Sequence, residues 1–195
     1  MDSKNAYVTS LPPSLDLGPM PLGQPMEVVD ELYVHAPAAM IFELASEVEH
    51  WPKYLQHYRY VKFRSRRADG GGLVEMSAYR PFEFAKTRVG GLRLNWPTWW
   101  LSEMSVIADK PAIRFRHVGG ITKGMEVEWT FGQSQPGTHV RIVHIWEGPN
   151  IPLVGMWAAL YLIGPVFVHG IASRTLAGLG SLAETRAKRL QPERR

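Results

Sequence analysis

Residues 151–172 read IPLVGMWAALYLIGPVFVHGIA, and the fold turns on how this stretch is interpreted. It holds no Asp, Glu, Lys or Arg and a single histidine, His169. A bilayer-spanning helix needs about 20 consecutive apolar residues, so length and composition alone admit a membrane span. Gly164-Pro165 sits in its middle, with Gly155 and Gly170 to either side. Pro165 has no N–H to donate, and in a continuous helix its ring meets the carbonyl of Tyr161 at a cost of about 3 kcal/mol. Membrane helices tolerate such breaks, so the proline lowers the span reading rather than removing it.

The next residues, SRTLAGLGSLAETRAKRL (173–190), are amphipathic. If Pro165 opens a new helical segment, Val168, Ile171, Ala172, Thr175, Leu179, Leu182 and Ala183 recur on one face. Ser173, Arg174, Ser181, Glu184 and Lys188 fall on the other. Two helical pieces joined at Gly164-Pro165 account for the stretch better than one span. The second piece then covers a large apolar surface supplied by the preceding chain. Residues 156–163, with Trp157, Leu160 and Tyr161, are left to pack inward, to gate a cavity or to touch a membrane surface.

The preceding chain can supply that surface. Residues 1–25 carry Pro12, Pro13, Pro19, Pro21 and Pro25 with Gly18 and Gly23, which forbids regular structure. They read as a flexible or surface-wrapping arm. Residues 26–35 read as a strand. Ala36-Pro37 ends it, and Ile41, Leu44, Ala45 and Val48 then recur at helical spacing until Trp51-Pro52, after which PKYLQ suits one short turn. Strand signals follow in series. Residues 57–67 alternate, Asp69-Gly70-Gly71-Gly72 turns the chain, and residues 73–80 return with Val74, Met76 and Ala78 on one face. Residues 82–97 show no clear alternation and read as an irregular continuation, with Gly90-Gly91 as a turn. Residues 98–109, 112–118, 125–131 and 138–148 are further strands. One strand, two short helices, a run of strands and a long helix specify an α+β domain built on an antiparallel sheet of six or seven strands. One face of such a sheet needs cover, and the C-terminal helix is the element long enough to provide it.

The 195 residues suit one domain with an arm and a tail: 1–25, 26–190 and a basic 191–195. There is no cysteine, so disulfides, thiol nucleophiles and thiolate metal sites are excluded. The net charge of +4 is spread, apart from Arg64, Arg66, Arg67 and a cluster from Arg186 to Arg195, and reads as a solvated surface rather than a nucleic-acid site. The opening residues lack an apolar signal-peptide core, so a cytoplasmic location is expected.

The order of elements and three local phrases, HAPAAMIFELASEVEHWPKYL, VGGITKGMEVEWTF and THVRIVHIWEG, resemble the START-like, Bet v 1-like superfamily of helix-grip proteins. More narrowly, the chain is similar to its polyketide cyclase/dehydrase and coenzyme-Q-binding group over residues 26–190. The resemblance implies a curved sheet wrapped around the C-terminal helix, with an apolar cavity between them for a lipid, sterol, quinone or polyketide. It supplies no catalytic set, since only some members are enzymes. It implies no cofactor.

Candidate site residues follow from strand parity. Val140, Ile142, His144 and Trp146 share one face. If that face lines the cavity, His144 orients a ligand or moves a proton; the apolar Val143 and Ile145 leave the reverse orientation open, and a core histidine is the plain alternative. His117 follows Ile113 and Phe115 with the same choice. Arg80 follows Met76 and Ala78. It either holds a ligand oxygen in a forked hydrogen bond or reaches water from the strand end. Trp100, Met104 and Trp129 are candidate walls, and Val168, Ile171, Thr175 and Leu179 the helix side. His169 lies at the cavity mouth or on the surface. His139 and His144 point to opposite faces, so no metal site is expected.

The expected function is binding of a hydrophobic small molecule between sheet and helix. The first rival is a cyclase or dehydratase using His144, with Arg80, to polarise a carbonyl or move a proton. The second is a lipid-binding module docking to a membrane or a partner, a second copy included, through the arm and residues 157–161.

Overall fold

The computed structural model describes residues 14–84, 92–148 and 168–190, with side chains left out of account for 80–84 and 92–96. Seven strands form one antiparallel sheet: β1 (Met26–Val34), β2 (Tyr58–Arg66), β3 (Gly72–Phe84), β4 (Leu92–Ile107), β5 (Ala112–Gly120), β6 (Glu126–Ser134) and β7 (Gly137–Trp146). Their order across the sheet is β1-β7-β6-β5-β4-β3-β2. Between β1 and β2 lie α1 (Ala38–Ser46), a 3-10 turn (Val48–His50) and α2 (Trp51–Tyr54), and the long helix α3 (His169–Leu190) follows the sheet. This is the α+β helix-grip architecture, with two short helices after the first strand and a C-terminal helix held by the curved sheet.

Local chemistry explains the small elements. Pro37, extended at φ −60° and ψ 143°, sets the start of α1. Trp51 and Pro52 open α2, and the Trp51 indole donates to the carbonyl of Leu44 at 3.1 Å, tying α2 back onto α1.

Residues 82–97 correct the sequence reading. Residues 82–84 end β3 and residues 92–97 open β4, paired in continuous register from Tyr79 opposite Pro97 to Phe84 opposite Leu92. β2 pairs with β3 only as far as Ala78, and β5 reaches β4 only at Trp100. Beyond these limits β3 and β4 form a two-stranded ribbon whose outer edges meet no partner strand among the described residues. Prolines are tolerated on such edges, so Pro81 and Pro97 fit where a central strand would reject them. The pairs of residues 90 and 91 lie outside the described residues.

The buried face of α3 holds Ala172, Thr175, Leu176, Leu179, Gly180, Ala183 and Ala187. Ile171 and Leu182 are only partly buried, and Leu176 and Gly180 widen the face that periodicity picks out. Small side chains bring the helix close to β1: a Cβ on Gly180 would lie 2.9 Å from Leu32 Cδ2 and 3.2 Å from Val34 Cγ2. Both ends of α3 are tied to the first strand. His169 Nδ1 lies 2.6 Å from Asp30 Oδ1, and Glu184 Oε1 accepts from the His35 amide at 2.9 Å.

On the opposite side of the sheet, residues 14–25 run without helix or strand. The carbonyl of Leu15 accepts from Ser105 at 2.6 Å, and those of Leu17 and Gly18 accept from Arg116 and Arg114, each at 2.8 Å. Arg114 also contacts Glu126 at 3.3 Å and Glu128 at 3.6 Å, and Arg116 pairs with Glu126.

Among the described residues no helix is long and apolar enough to cross a membrane. Residues 168–172 of the opening stretch belong to the first turn of α3 and its approach, with Val168 and Ala172 buried. The break at Gly164-Pro165, the fate of residues 156–163, residues 1–13 of the arm and the 191–195 tail lie outside the described residues.

Candidate ligand-binding cavity

Beneath the N-terminal half of α3 the core is not filled. The gap is small: about 80 Å³ is open to the centre of a water-sized sphere, within about 650 Å³ of non-atom space that also counts its open mouth. The strands β2 to β7, the short α2 and the start of α3 each contribute a side chain to it.

Five aromatic rings line the wall. Trp51 comes from α2, Tyr58 from β2, Trp100 from β4, Phe115 from β5 and Trp129 from β6. Four of these, with His117, make one continuous belt. Trp129 and Trp51 rings are 5.8 Å apart, Trp51 and Tyr58 5.2 Å, Tyr58 and Trp100 6.4 Å, and Trp100 stacks on His117 at 6.1 Å and 20°. These spacings are those of favourable aromatic pairs, so the belt braces itself with or without a ligand. Met76, Met125 and Val127 complete the sheet side, and Val168, Ile171, Ala172 and Thr175 form the roof.

The polar groups in this wall are few and neutral. His117 Nδ1 meets Thr122 Oγ1 at 2.7 Å, which orients the ring. Burial pushes the His117 pKa down to about 3, with the Thr122 backbone pulling weakly the other way. His144 is also held at about 3, first by burial and then by His117. Its Nδ1 is closed off from solvent and has no hydrogen-bond partner, while the ring as a whole stays partly uncovered because it borders the gap. At the roof, Thr175 Oγ1 donates to the Ile171 carbonyl at 2.8 Å and so accepts from Tyr58 Oη at 3.1 Å and His57 Nε2 at 3.0 Å. Burial raises the Tyr58 pKa, and burial with the Arg174 charge lowers that of His57 to about 4. All three histidines near the cavity are therefore uncharged at neutral pH.

Met76, Trp100, Phe115, His117, Trp129, His144, Val168, Ile171 and Thr175, the candidates from sequence, border this one cavity. The inward face of β7 is the one bearing His144. Met104 and Leu179 do not border it. Both face inward and both are fully buried, but they sit where the core is packed solid. Periodicity reports the face of an element and not where along it the packing opens. Arg80 is in β3 opposite Trp96, and its side chain lies outside those described. His169 is on the surface, pinned to Asp30, and does not border the cavity. Burial raises the Asp30 pKa, and His169 opposes that shift.

Trp51, Tyr58, Thr98, Thr122, Met125, Val127 and Ala172 also line the cavity and were not among the site candidates, and His57 stands behind the roof. Thr98 shares parity with Trp100 and was within reach. Tyr58 was not, because the β2–β3 register shifts between Tyr58 and Tyr60, so Tyr58 and Val61 face inward at an odd spacing. Thr122 sits in the β5–β6 turn, where no periodicity applies. Among the described residues no three His, Asp or Glu side chains cluster as a metal site.

Comparisons with known proteins agree with this geometry. An aromatase/cyclase from Streptomyces sp. R1128 superposes with a TM-score of 0.65 at 15% identity, covering 83% of this chain and 94% of its own. A START superfamily protein from Mycobacterium smegmatis gives 0.55 at 16% identity, covering 85% and 99%. The major latex-like protein 151 of Panax ginseng gives 0.59 at 10% identity, covering 81% and 97%. At these identities the likeness is one of fold. No curated protein matches the chain in sequence. The family model described as polyketide cyclase/dehydrase and lipid transport matches residues 34–162, about two-thirds of the sequence, and the chain belongs to that family.

Proposed function

We propose that this protein binds a hydrophobic small molecule, of the lipid, quinone or polyketide-like kind, in the cavity between the sheet and α3. The observation that carries this is the unfilled, aromatic-walled space beneath α3, in a chain otherwise long enough to close its core. Transfer of apolar ligand area out of water, at about 25 cal/mol per Å² before association costs, supplies most of the affinity. Site residues in this reading are the nine sequence candidates named above with Trp51 and Tyr58. Binding and release take place without a cofactor.

Catalysis of the cyclase or dehydratase type is the second reading, favoured by the family and by the oriented His117–Thr122 pair. Against it, an imidazole with a pKa near 3 is a poor general base at neutral pH. An enzyme would need ligand entry to raise that value.

Native mass spectrometry of the purified protein, with extraction and identification of any adduct, tests the binding reading. We expect an apolar compound at one per chain, retained in His144→Ala. A protein that stays empty when offered lipid, quinone and polyketide extracts would sink it. Chemical conversion of the bound compound that disappears in His144→Ala would favour the enzyme instead.

A further inference from the structure

We infer that the outer face of the sheet over β2, β3 and the middle of β4 is a docking surface for an anionic lipid bilayer. It is a different surface from the arm and from residues 157–161, and it does not depend on the cavity being a binding site.

Register places the residues. Lys62 lies opposite Glu75, and Glu75 opposite Leu101. Tyr60 lies opposite Ser77, and Ser77 opposite Trp99, while Tyr79 stands opposite Pro97. Strand parity turns these side chains away from α3, because the alternate positions Val61, Met76, Ala78 and Thr98 are the buried ones. Arg59 joins them at the bulge between Tyr58 and Tyr60. Its guanidinium donates to Ser77 Oγ at 3.4 Å and lies 5.5 Å from the centre of the Tyr79 ring. The arm covers the neighbouring part of the same face, where it meets Ser105, Arg114 and Arg116. Away from the arm, Trp99 is 53% exposed and Tyr79 38%.

Aromatic surface and charge then point to one occupant. A single exposed aromatic is ordinary on a protein surface. An indole and a phenol on adjacent strands beside cations suit the boundary between acyl chains and headgroups, where the ring is dry and its N–H or O–H is wet. Among the described residues of this part of the face, three cations, Arg59, Lys62 and Arg64, stand with one carboxylate, Glu75, which Arg64 and Tyr60 both hold. The next carboxylate along β4, Glu103, lies opposite Arg116. A second copy of the chain fits poorly, since a two-fold interface sets the same cations against themselves. A bilayer uses both features. Its phosphates take the cations, each worth about 5-fold in partitioning near an anionic surface, and the rings settle between the headgroups.

Sedimentation with vesicles tests this, using phosphatidylcholine alone or mixed with about 30% phosphatidylglycerol. The protein should bind the anionic vesicles and not the neutral ones, and salt at about 0.5 M should release it. Arg59→Glu combined with Lys62→Glu should lower partitioning at least about 25-fold, the worth of two cations. Lys188→Glu combined with Arg189→Glu makes the same change in net charge at the far end of α3 and should leave partitioning within about twofold. All four positions are exposed, so each variant should fold. Phosphatidylcholine brominated on its acyl chains, added to the anionic vesicles, should quench tryptophan emission in the wild-type protein, and Trp99→Phe should remove that quenching. Failure to bind anionic vesicles, equal binding to both vesicle types, equal losses from the two charge-reversed pairs, or quenching that persists in Trp99→Phe overturns the inference. So does a dimer in solution that Trp99→Phe dissociates, which would give the face to a second copy, or binding to polyglutamate as tight as to vesicles, which would give it to an acidic protein.

Discussion

His117 and His144 sit in the fold with pKa values near 3, far below the ordinary histidine value of 6.5, and burial is the main cause for both. The sign of the pH effect follows. As pH falls through about 6.5 the unfolded chain takes up protons and the folded one does not, so stability is full above that pH and drains away below it, until the folded groups titrate near 3. Each of the two imidazoles removes at most about 1.4 kcal/mol per pH unit inside that window, His144 less because its ring is partly uncovered. The partly exposed His57, held at about 4, adds less because solvent screens it. The urea midpoint should therefore be nearly constant from pH 8 to 7 and fall steeply from pH 6 to 5, with a shallower fall in His144→Phe. A midpoint that stays flat down to pH 5 would mean that the imidazoles accept protons inside the fold. Thr175 gives a second residue-scale prediction. As the shared acceptor of Tyr58 and His57, its replacement by Val keeps shape and strands the buried Tyr58 hydroxyl and the half-buried His57 imidazole. Thr175→Val should cost about 2 kcal/mol or more in urea unfolding. This hub was illegible beforehand: Thr175 could be placed on the inner face from helical spacing, but its partners come from a strand whose parity is displaced by a bulge.

At the scale of elements, alternation and helical spacing locate most of the strands and α3 because a buried face opposite a wetter one writes a period into the chain, whereas β7, with Val143 and Ile145 buried as well as Val140 and Ile142, left its inward face open. The β3–β4 ribbon escapes this logic. Beyond Ala78 and before Trp100 it pairs with neither β2 nor β5, so prolines are permitted on its edges and break the strand signal. α3 shows a different device. Gly180 lets it approach Leu32 and Val34 within van der Waals range of where a side chain would begin. Gly180→Leu should force the helix off β1 and cost about 1–3 kcal/mol by overpacking. Ala177→Leu, on the exposed side of the same turn, should cost nothing measurable. Equal effects at the two positions in thermal melts would show that α3 is not seated tightly on β1.

For the molecule as a whole, the architecture was readable because a run of strands followed by one long helix admits few layer arrangements. The cavity's existence was not readable from pattern, since Met76 borders space and Met104 fills core with the same parity and the same chemistry. That distinction depends on how all layers meet, and it needs coordinates. The same holds for the arm. Proline and glycine content excludes regular structure over residues 1–25 but says nothing of where the chain lies. In the structure Leu17 is buried against the outer face of the sheet, and the Leu17 and Gly18 carbonyls meet Arg116 and Arg114. Water can replace the carbonyls on those guanidinium groups, so the main loss on removing the arm is the burial of Leu17, about 1.5–3 kcal/mol. For a chain of this size 1 kcal/mol moves Tm by about 2–4 °C. Deleting residues 1–25 should lower Tm by about 5 °C, and Leu17→Ala alone should account for most of that. Because the arm and α3 lie on opposite faces of the sheet, affinity for an apolar ligand of the cavity should change by less than about twofold, as expected for separated sites. An unchanged Tm would mean that the arm leaves the sheet in solution, and a large loss of affinity would mean that the outer face communicates with the cavity through the strands between them.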